Sequence, residues 1–186
     1  MKKNQFSDNK MQLWELISDK GLLREGNFTL ASKVKSTFYF DIKKVSMLKI
    51  GKLLIGKCIE ELIEEDQFDS VGGMESGAIP IIDAVVEHTN IERGFYVKKA
   101  IKDHGTQKAI EGYFFPKDTV LMVEDVITSG NSVIRACKIV ENISKNAGGK
   151  IKKIIVIVDR LQGGRENIEK EGYQLIPIFT KDDFKI

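Results

Sequence analysis

The stretch Asp118-Thr-Val-Leu-Met-Val-Glu-Asp-Val-Ile-Thr-Ser-Gly-Asn-Ser-Val133 constrains the fold of this chain more than any other. Thr119 to Val123 is short, almost wholly apolar and partly β-branched, which predicts a strand in a sheet covered on both faces. Glu124 and Asp125 then put two carboxylates at that strand's C-terminal end, where open α/β sheets bind ligands. Thr128 to Ser132 follows as a small polar loop leading into a helix.

Two readings fit these residues. In the first, backbone N–H groups of the loop and of the first helical turn surround one anion, and Gly130 permits its close approach. The adjacent acids would repel a phosphate but accept from hydroxyls, so the pair suits a ribose carrying a 5′-phosphate. In the second, the strand simply ends in solvated acids, and Asn131 or Ser129 caps the helix.

At 186 residues the chain is expected to form a single domain burying about 70% of its unfolded surface. Cys58 and Cys137 fall in predicted helices without metal-type spacing, which predicts free buried thiols in a reducing compartment. The 29 basic and 27 acidic residues leave a formal charge of +2, which argues against a general nucleic-acid or membrane-surface binder. No signal-peptide core is visible at the N-terminus, and no apolar run approaches the ~20 residues that span a bilayer, so a cytoplasmic protein is expected.

Along the chain, residues 7 to 19 predict a helix capped by Ser7 with a buried stripe of Met11, Trp14, Leu16 and Ile17. Phe28 to Asp41 reads as two short strands around a polar turn. Its consecutive Phe38, Tyr39 and Phe40 cannot all face one side, so at least one looks elsewhere, across a pocket mouth. A long helix over 46 to 65 and a strand over 68 to 71 come next. Gly72-Gly-Met-Glu-Ser-Gly-Ala-Ile-Pro80 is then either a second anion seat or a tight turn into the helix 81 to 87, with His88 at that helix's end. After the strand begun by Phe95 and Tyr96, three lysines and a histidine crowd Lys98 to His104, which is a solvated face unless a polyanion lies nearby. A helix over 131 to 146, a strand over 151 to 158, the turn from Asp159-Arg160 to Asn167, a strand over 173 to 179 and a short helix after Thr180 complete the chain. Arg160 either pairs with Asp159 or offers its fork to a planar carboxylate.

Val120 to Gly130 resembles the phosphoribosyl pyrophosphate (PRPP) signature of the type I phosphoribosyltransferases: apolar strand, two acids, Thr-Ser-Gly loop. Lys98-Lys99-x-x-Lys102-Asp-His104-Gly105 is similar to the mobile basic loop of the orotate phosphoribosyltransferase family. Asp159-Arg160 with Gly-Gly-Arg-Glu-Asn167 is similar to that family's orotate-side loop, and Phe28 to Asp41 to its hood. The resemblance covers about Phe28 to Asn167. It implies an α/β fold with a central, mostly parallel sheet flanked by helices, a core of about 46–160, and a small N-terminal hood of about 20–45 completed by the C-terminal part.

It also implies the transfer of ribose 5-phosphate from PRPP to orotate in pyrimidine biosynthesis. Glu124 and Asp125 would hold the ribose hydroxyls, and Val126, Ile127, Thr128, Ser129, Gly130, Asn131 and Ser132 the 5′-phosphate. Glu75, Ser76 and Gly77 would meet the pyrophosphate, with Lys98, Lys99, Lys102 and His104 supplied by the neighbouring subunit of a homodimer. Tyr39, Phe40, Thr128 and Arg160 would bind orotate, and Lys99, Lys102, His104 and Asp125 would form the catalytic set. Mg²⁺ would arrive with PRPP, without direct protein ligands. The chain departs from the family pattern at Lys98 (usually Arg), Lys33 (usually Gly) and Ala31 (often Lys). A phosphoribosyltransferase for another base, and a PRPP-binding regulator without turnover, are the alternatives.

Overall fold

The computed structural model describes residues 6–23, 26, 28–29, 35–100 and 109–186. Helix α1 (Asp8–Leu16) opens the described chain, capped by the Ser7 hydroxyl, which accepts from Lys10 N–H at 3.3 Å. A π-helical turn (Ile17–Gly21) extends it. Two short antiparallel pairs follow, β1 (Leu22–Leu23) with β4 (Tyr39–Phe40) and β2 (Phe28–Thr29) with β3 (Lys35–Ser36). Helices α2 (Lys43–Ser46) and α3 (Lys49–Ile63) lead into the main sheet.

That sheet contains β5 (Ser70–Met74), β6 (Gly94–Val97), β7 (Ile110–Gly112), β8 (Thr119–Ile127), β9 (Lys150–Asp159) and β10 (Leu175–Thr180), in the order β10-β9-β8-β5-β6-β7. Every pairing is parallel except β6 with β7. Helices α4 (Ile79–His88), α5 (Asn131–Ser144) and α6 (Gly164–Lys170) provide the crossovers. Successive side chains of β8 serve opposite faces: Leu121 and Val123 join the cluster containing Ile55 and Ile59 of α3 and Ile81 of α4, whereas Val120 and Met122 join Val133, Ala136 and Val140 of α5. Both faces are dry, which is why the strand reads as an unbroken apolar run. From β5 the chain runs outward through β6, then returns to β8 on the other flank. The sheet therefore reverses its order between β5 and β8, and a crevice opens beyond their C-terminal ends.

Several expectations need correction. Gly72 and Gly73, read as part of a turn, lie inside β5. Side chains cannot fit there: a Cβ on Gly72 would sit 2.1 Å from the Phe95 ring, and one on Gly73 2.4 Å from Ala78 Cβ and 2.5 Å from the Val123 carbonyl oxygen. The helix expected over 46 to 65 is divided, because Leu48 adopts an extended conformation between α2 and α3. Residues 110 to 112 form β7, so the basic segment joins the arms of a hairpin. The buried position of α1 is Leu13, followed by Ile17 in the π-helical turn, while Trp14 is half-buried, stacked 6.1 Å from Phe184 and donating to the Asp183 carbonyl at 2.9 Å. Strand β8 runs on through both acids to Ile127.

Cys58 and Cys137 are free and buried, and burial pushes the Cys58 thiol up to about 12. Among the described residues no helix is long and apolar enough to cross a membrane. The packing at Gly73 yields a direct expectation. Gly73→Ala must push the backbone of β8 or the start of α4 aside, and should destabilise the protein by about 1–3 kcal/mol in urea unfolding. An unchanged midpoint would contradict the close-approach explanation.

Candidate active site

Two adjoining cavities occupy the crevice. The larger, about 210 Å³, lies between the turn Glu75–Gly77 after β5 and the end of β8, with Tyr39, Phe40 and Arg160 on its far wall. The smaller, about 120 Å³, is enclosed by the loop from Val126 to Val133. They share Glu124, Val126, Thr128 and Ser132, so one elongated ligand can occupy both.

The smaller cavity is built from backbone. Gly130 stands in the left-handed region at φ 77° and starts α5, which has no side-chain cap; Asn131, expected as a cap, is the first helical residue. First-turn N–H groups without a cap form an anion seat. Neighbouring elements fix the loop's shape: Asn167 Nδ2 donates to the Ser129 carbonyl at 3.0 Å, and the Arg160 N–H donates to the Ile127 carbonyl at 3.1 Å. Ile127 turns its side chain into the core, leaving its backbone to the loop.

Between the cavities stand the paired acids. Glu124 is 6% exposed, and its Oε1 accepts from the Asp125 N–H at 3.2 Å. Burial, reinforced by the adjacent Asp125 carboxylate, holds the Glu124 carboxyl well above the ordinary range. Asp125 Oδ1 accepts from the Val126 N–H at 2.8 Å. Its other oxygen faces Gly77, where a Cβ would come within 2.4 Å, and lies 3.9 Å from Lys43 Nζ. Lys43 was missed in the sequence. Its available signal was its place three residues after Tyr39-Phe40, the pair assigned to the pocket.

Not every expected residue converges here. Glu75, Ser76, Gly77 and Lys99 line the larger cavity, and the Lys99 backbone is pinned on both sides: its N–H donates to Glu75 Oε1 at 2.6 Å and its carbonyl accepts from Arg135 at 2.8 Å. Lys98 instead pairs with Glu111 of β7 at 3.0 Å and does not line the cavity. Lys102 and His104, like Ala31 and Lys33, lie outside the described residues.

On the base side, Phe40 is almost wholly buried against Phe184, ring centres 5.1 Å apart, while half-buried Tyr39 faces the cavity and packs 5.6 Å from Phe28. The choice left open at Arg160 resolves. Asp159 accepts from the Leu161 N–H at 2.8 Å and approaches Arg165 at 3.8 Å, so it does not pair with Arg160. The Arg160 guanidinium is 1% exposed and bonds neutral oxygens of Ser36 and Gln162, and among the described residues it forms no ion pair. Burial lowers its pKa from a very high ordinary value, and it remains a cation. A buried cation without an acid opposite it, at a cavity wall, calls for an anionic ligand group.

The Glu124 environment predicts a pH signature. Its folded pKa is raised, so the unfolded chain gives up this proton first as pH climbs above the ordinary carboxylate range, and stability falls. Below that range both states are protonated and the effect vanishes. Glu124→Gln should therefore raise the denaturation midpoint at neutral pH, with the gain shrinking as pH falls to about 4. A gain that is the same at every pH would contradict the assignment.

A family model described as the phosphoribosyl transferase domain matches residues 43–182. An orotate phosphoribosyltransferase from Pyrococcus abyssi is 43% identical over 180 residues, covering 94% of each chain. One from Methanocaldococcus jannaschii is 41% identical over 173 residues, covering 93% of this chain and 95% of its own. Among solved structures, Mycobacterium tuberculosis orotate phosphoribosyltransferase in complex with PRPP superposes with a TM-score of 0.79 at 28% identity, covering 96% of this chain and 99% of the other. With two adjoining cavities arranged around an acid pair and an uncapped helix start, and with relatives of this closeness along nearly its whole length, the chain belongs to the orotate phosphoribosyltransferase family.

Proposed function

We propose that this chain transfers the 5-phosphoribosyl group of PRPP to orotate, giving orotidine 5′-monophosphate and pyrophosphate in the de novo route to UMP. The observation that carries this reading is the pairing of an uncapped anion seat at Gly130–Ser132 with a buried Arg160 that forms no ion pair among the described residues, across the joined cavities. A sugar phosphate fits the first and a planar carboxylate the second. The relatives' names, and the PRPP bound in the mycobacterial structure, point the same way.

In this reading the loop from Val126 to Ser132 binds the 5′-phosphate, Glu124 and Asp125 accept from the ribose hydroxyls, and the Glu75–Gly77 turn meets the diphosphate. Thr128 and Tyr39 flank the base, Phe40 backs it, and Arg160 binds its carboxylate. The bond between ribose C1 and the diphosphate oxygen breaks, its electron pair leaving with the diphosphate, as orotate N1 bonds to C1 and gives up its proton to the departing diphosphate or to solvent. Positive charge develops on the sugar while the leaving group carries negative charge away. Asp125 stands beside the first, and Lys99, Lys43 and the basic loop's Lys102 and His104 answer the second. A closed loop also keeps out water that would hydrolyse PRPP.

Mg²⁺ is the cofactor in this reading. PRPP would carry it in, its ligands coming mostly from substrate phosphates and water with no direct protein ligand, and the hard carboxylate oxygens of Asp125 at the cavity suit a hydrated Mg²⁺ nearby. When bound, it neutralises part of the diphosphate charge. The small antiparallel pairs with the C-terminal turn form a hood on the base side of a single domain. The working unit is a homodimer. Exposed Met47 and Ile79 edge a groove of about 910 Å³ that meets the larger cavity at Lys43 and Ser76, which supports a second copy seated beside this pocket; in this reading that copy supplies the basic loop.

The carboxylate-seeking Arg160 favours orotate over other bases, and retention of the loop's lysines and histidine favours turnover over sensing. Purified protein with PRPP and Mg²⁺ should consume orotate, followed by its ultraviolet absorbance, and should leave uracil, hypoxanthine and adenine untouched. PRPP binding without loss of any base would establish the sensor instead. Lys102→Ala should slow turnover about 10- to 100-fold. If loops are shared between subunits, mixing the slowed Lys102→Ala protein with Asp125→Asn protein and allowing exchange should raise activity above that of either alone, because one site of each hybrid is intact; no gain would mean that each subunit serves itself.

A further inference from the structure

We infer that Ser36 and Phe38, with a lesser part for Gln162, are positioning residues for base recognition: they fix the direction of the Arg160 guanidinium. The inference rests on the function proposed above and concerns how its carboxylate-binding cation is aimed. Arg160 follows directly after β9, whereas Ser36 ends β3, 124 positions earlier in the chain. The Ser36 hydroxyl has one proton and two lone pairs, and all three are committed. It donates to the Phe38 carbonyl at 2.7 Å, and accepts from the Phe38 N–H at 3.3 Å and from Arg160 Nη2 at 2.9 Å. Because its proton is spent on Phe38, the oxygen can present only a lone pair to the guanidinium.

Phe38 completes the mount. Its ring lies 4.2 Å from Arg160 Cζ, within cation–π range. The ring is itself held edge-on to Phe40, centres 5.8 Å apart, and Phe40 belongs to the core. Gln162 Oε1 accepts from Arg160 Nε at 3.3 Å. The guanidinium has five N–H donors, and these two bonds use two of them. The remaining donors lie in a plane set by Ser36 and Phe38, at the wall of the cavity that Arg160 lines. Among the described residues the contacts to the cation are neutral, so its charge stays available to a ligand carboxylate, and a fork held this way gives up little side-chain entropy on binding.

Steady-state kinetics with orotate and PRPP varied separately would test this. Ser36→Ala should raise the orotate KM about tenfold, the weight of one charge-assisted hydrogen bond, while kcat stays within about threefold and the PRPP KM is unchanged. Phe38→Leu keeps apolar bulk but removes the ring face, and should raise the orotate KM about three- to tenfold. Ser36→Thr, which retains the hydroxyl, should restore the parent value. Gln162 is exposed, so Gln162→Ala will fold, and it should raise the orotate KM about two- to threefold. Equal losses in both KM values, or an orotate KM that none of these substitutions moves, would overturn the inference. If the parent protein itself consumes no orotate, the underlying function fails rather than this assignment.

Discussion

The close parallel pairing of β5 with β8 is the constraint on which the rest of the molecule depends. Gly73 lets the Val123 carbonyl and the Ala78 methyl approach where any side chain would collide, so strand, neighbouring strand and the start of α4 meet with nothing between them. Gly77 repeats the arrangement a few residues later, bringing the turn after β5 against Asp125. The cavity's width is therefore set by backbone meeting backbone or a carboxylate, which has far fewer alternative arrangements than packed side chains. A crevice defined in this way is preformed, and little reorganisation remains for a ligand to drive.

Charge is distributed over this frame so that each sign reaches the ligand from a different element. The acids belong to β8, and burial together with mutual repulsion makes Glu124 reluctant to ionise. The cations come from elsewhere: Lys43 from α2, Lys99 from the arm of the β6–β7 hairpin, and Arg160 from the end of β9. Among the described residues Lys43 pairs with Asp125 at nearly 4 Å and the Lys99 charge also acts on the buried Glu124, so neutralisation between the two sets is partial. Separation of this kind suits a reaction in which positive and negative charge part company along one bond.

How much of this could be read from the sequence follows from how local each signal is. The unit from Thr119 to Ser132 was legible because strand, acids, loop and helix are consecutive; their order allowed either an anion seat or a plain capped helix, and the family resemblance favoured the seat. Gly72 and Gly73 were misread because a glycine that makes room for Phe95 looks, in one dimension, the same as a glycine that turns the chain. Strand β7 went unseen because three residues beside a basic segment carry almost no periodicity, and their pairing with β6 is tertiary. The fork of Arg160 was anticipated, but not its mount, since Ser36 and Phe38 lie far away in sequence and their contacts exist only once the hairpin has docked. Lys43 was hidden by composition: in a chain with 29 basic residues, one more lysine draws no attention.

The uncapped start of α5 carries a wider consequence. Donors that no capping side chain occupies will greet any small tetrahedral anion, so this part of the molecule is a general socket with no preference for what is attached beyond it. Discrimination among nucleobases has to be written elsewhere, in the hairpin that bears Ser36 and Phe38 and in the bend after β9. The hairpin can drift in sequence without touching the socket, whereas the bend after β9 braces the socket loop through the Arg160 N–H and Asn167, so the hairpin offers the freer physical route by which one scaffold acquires new base partners while its grip on the common sugar phosphate is kept.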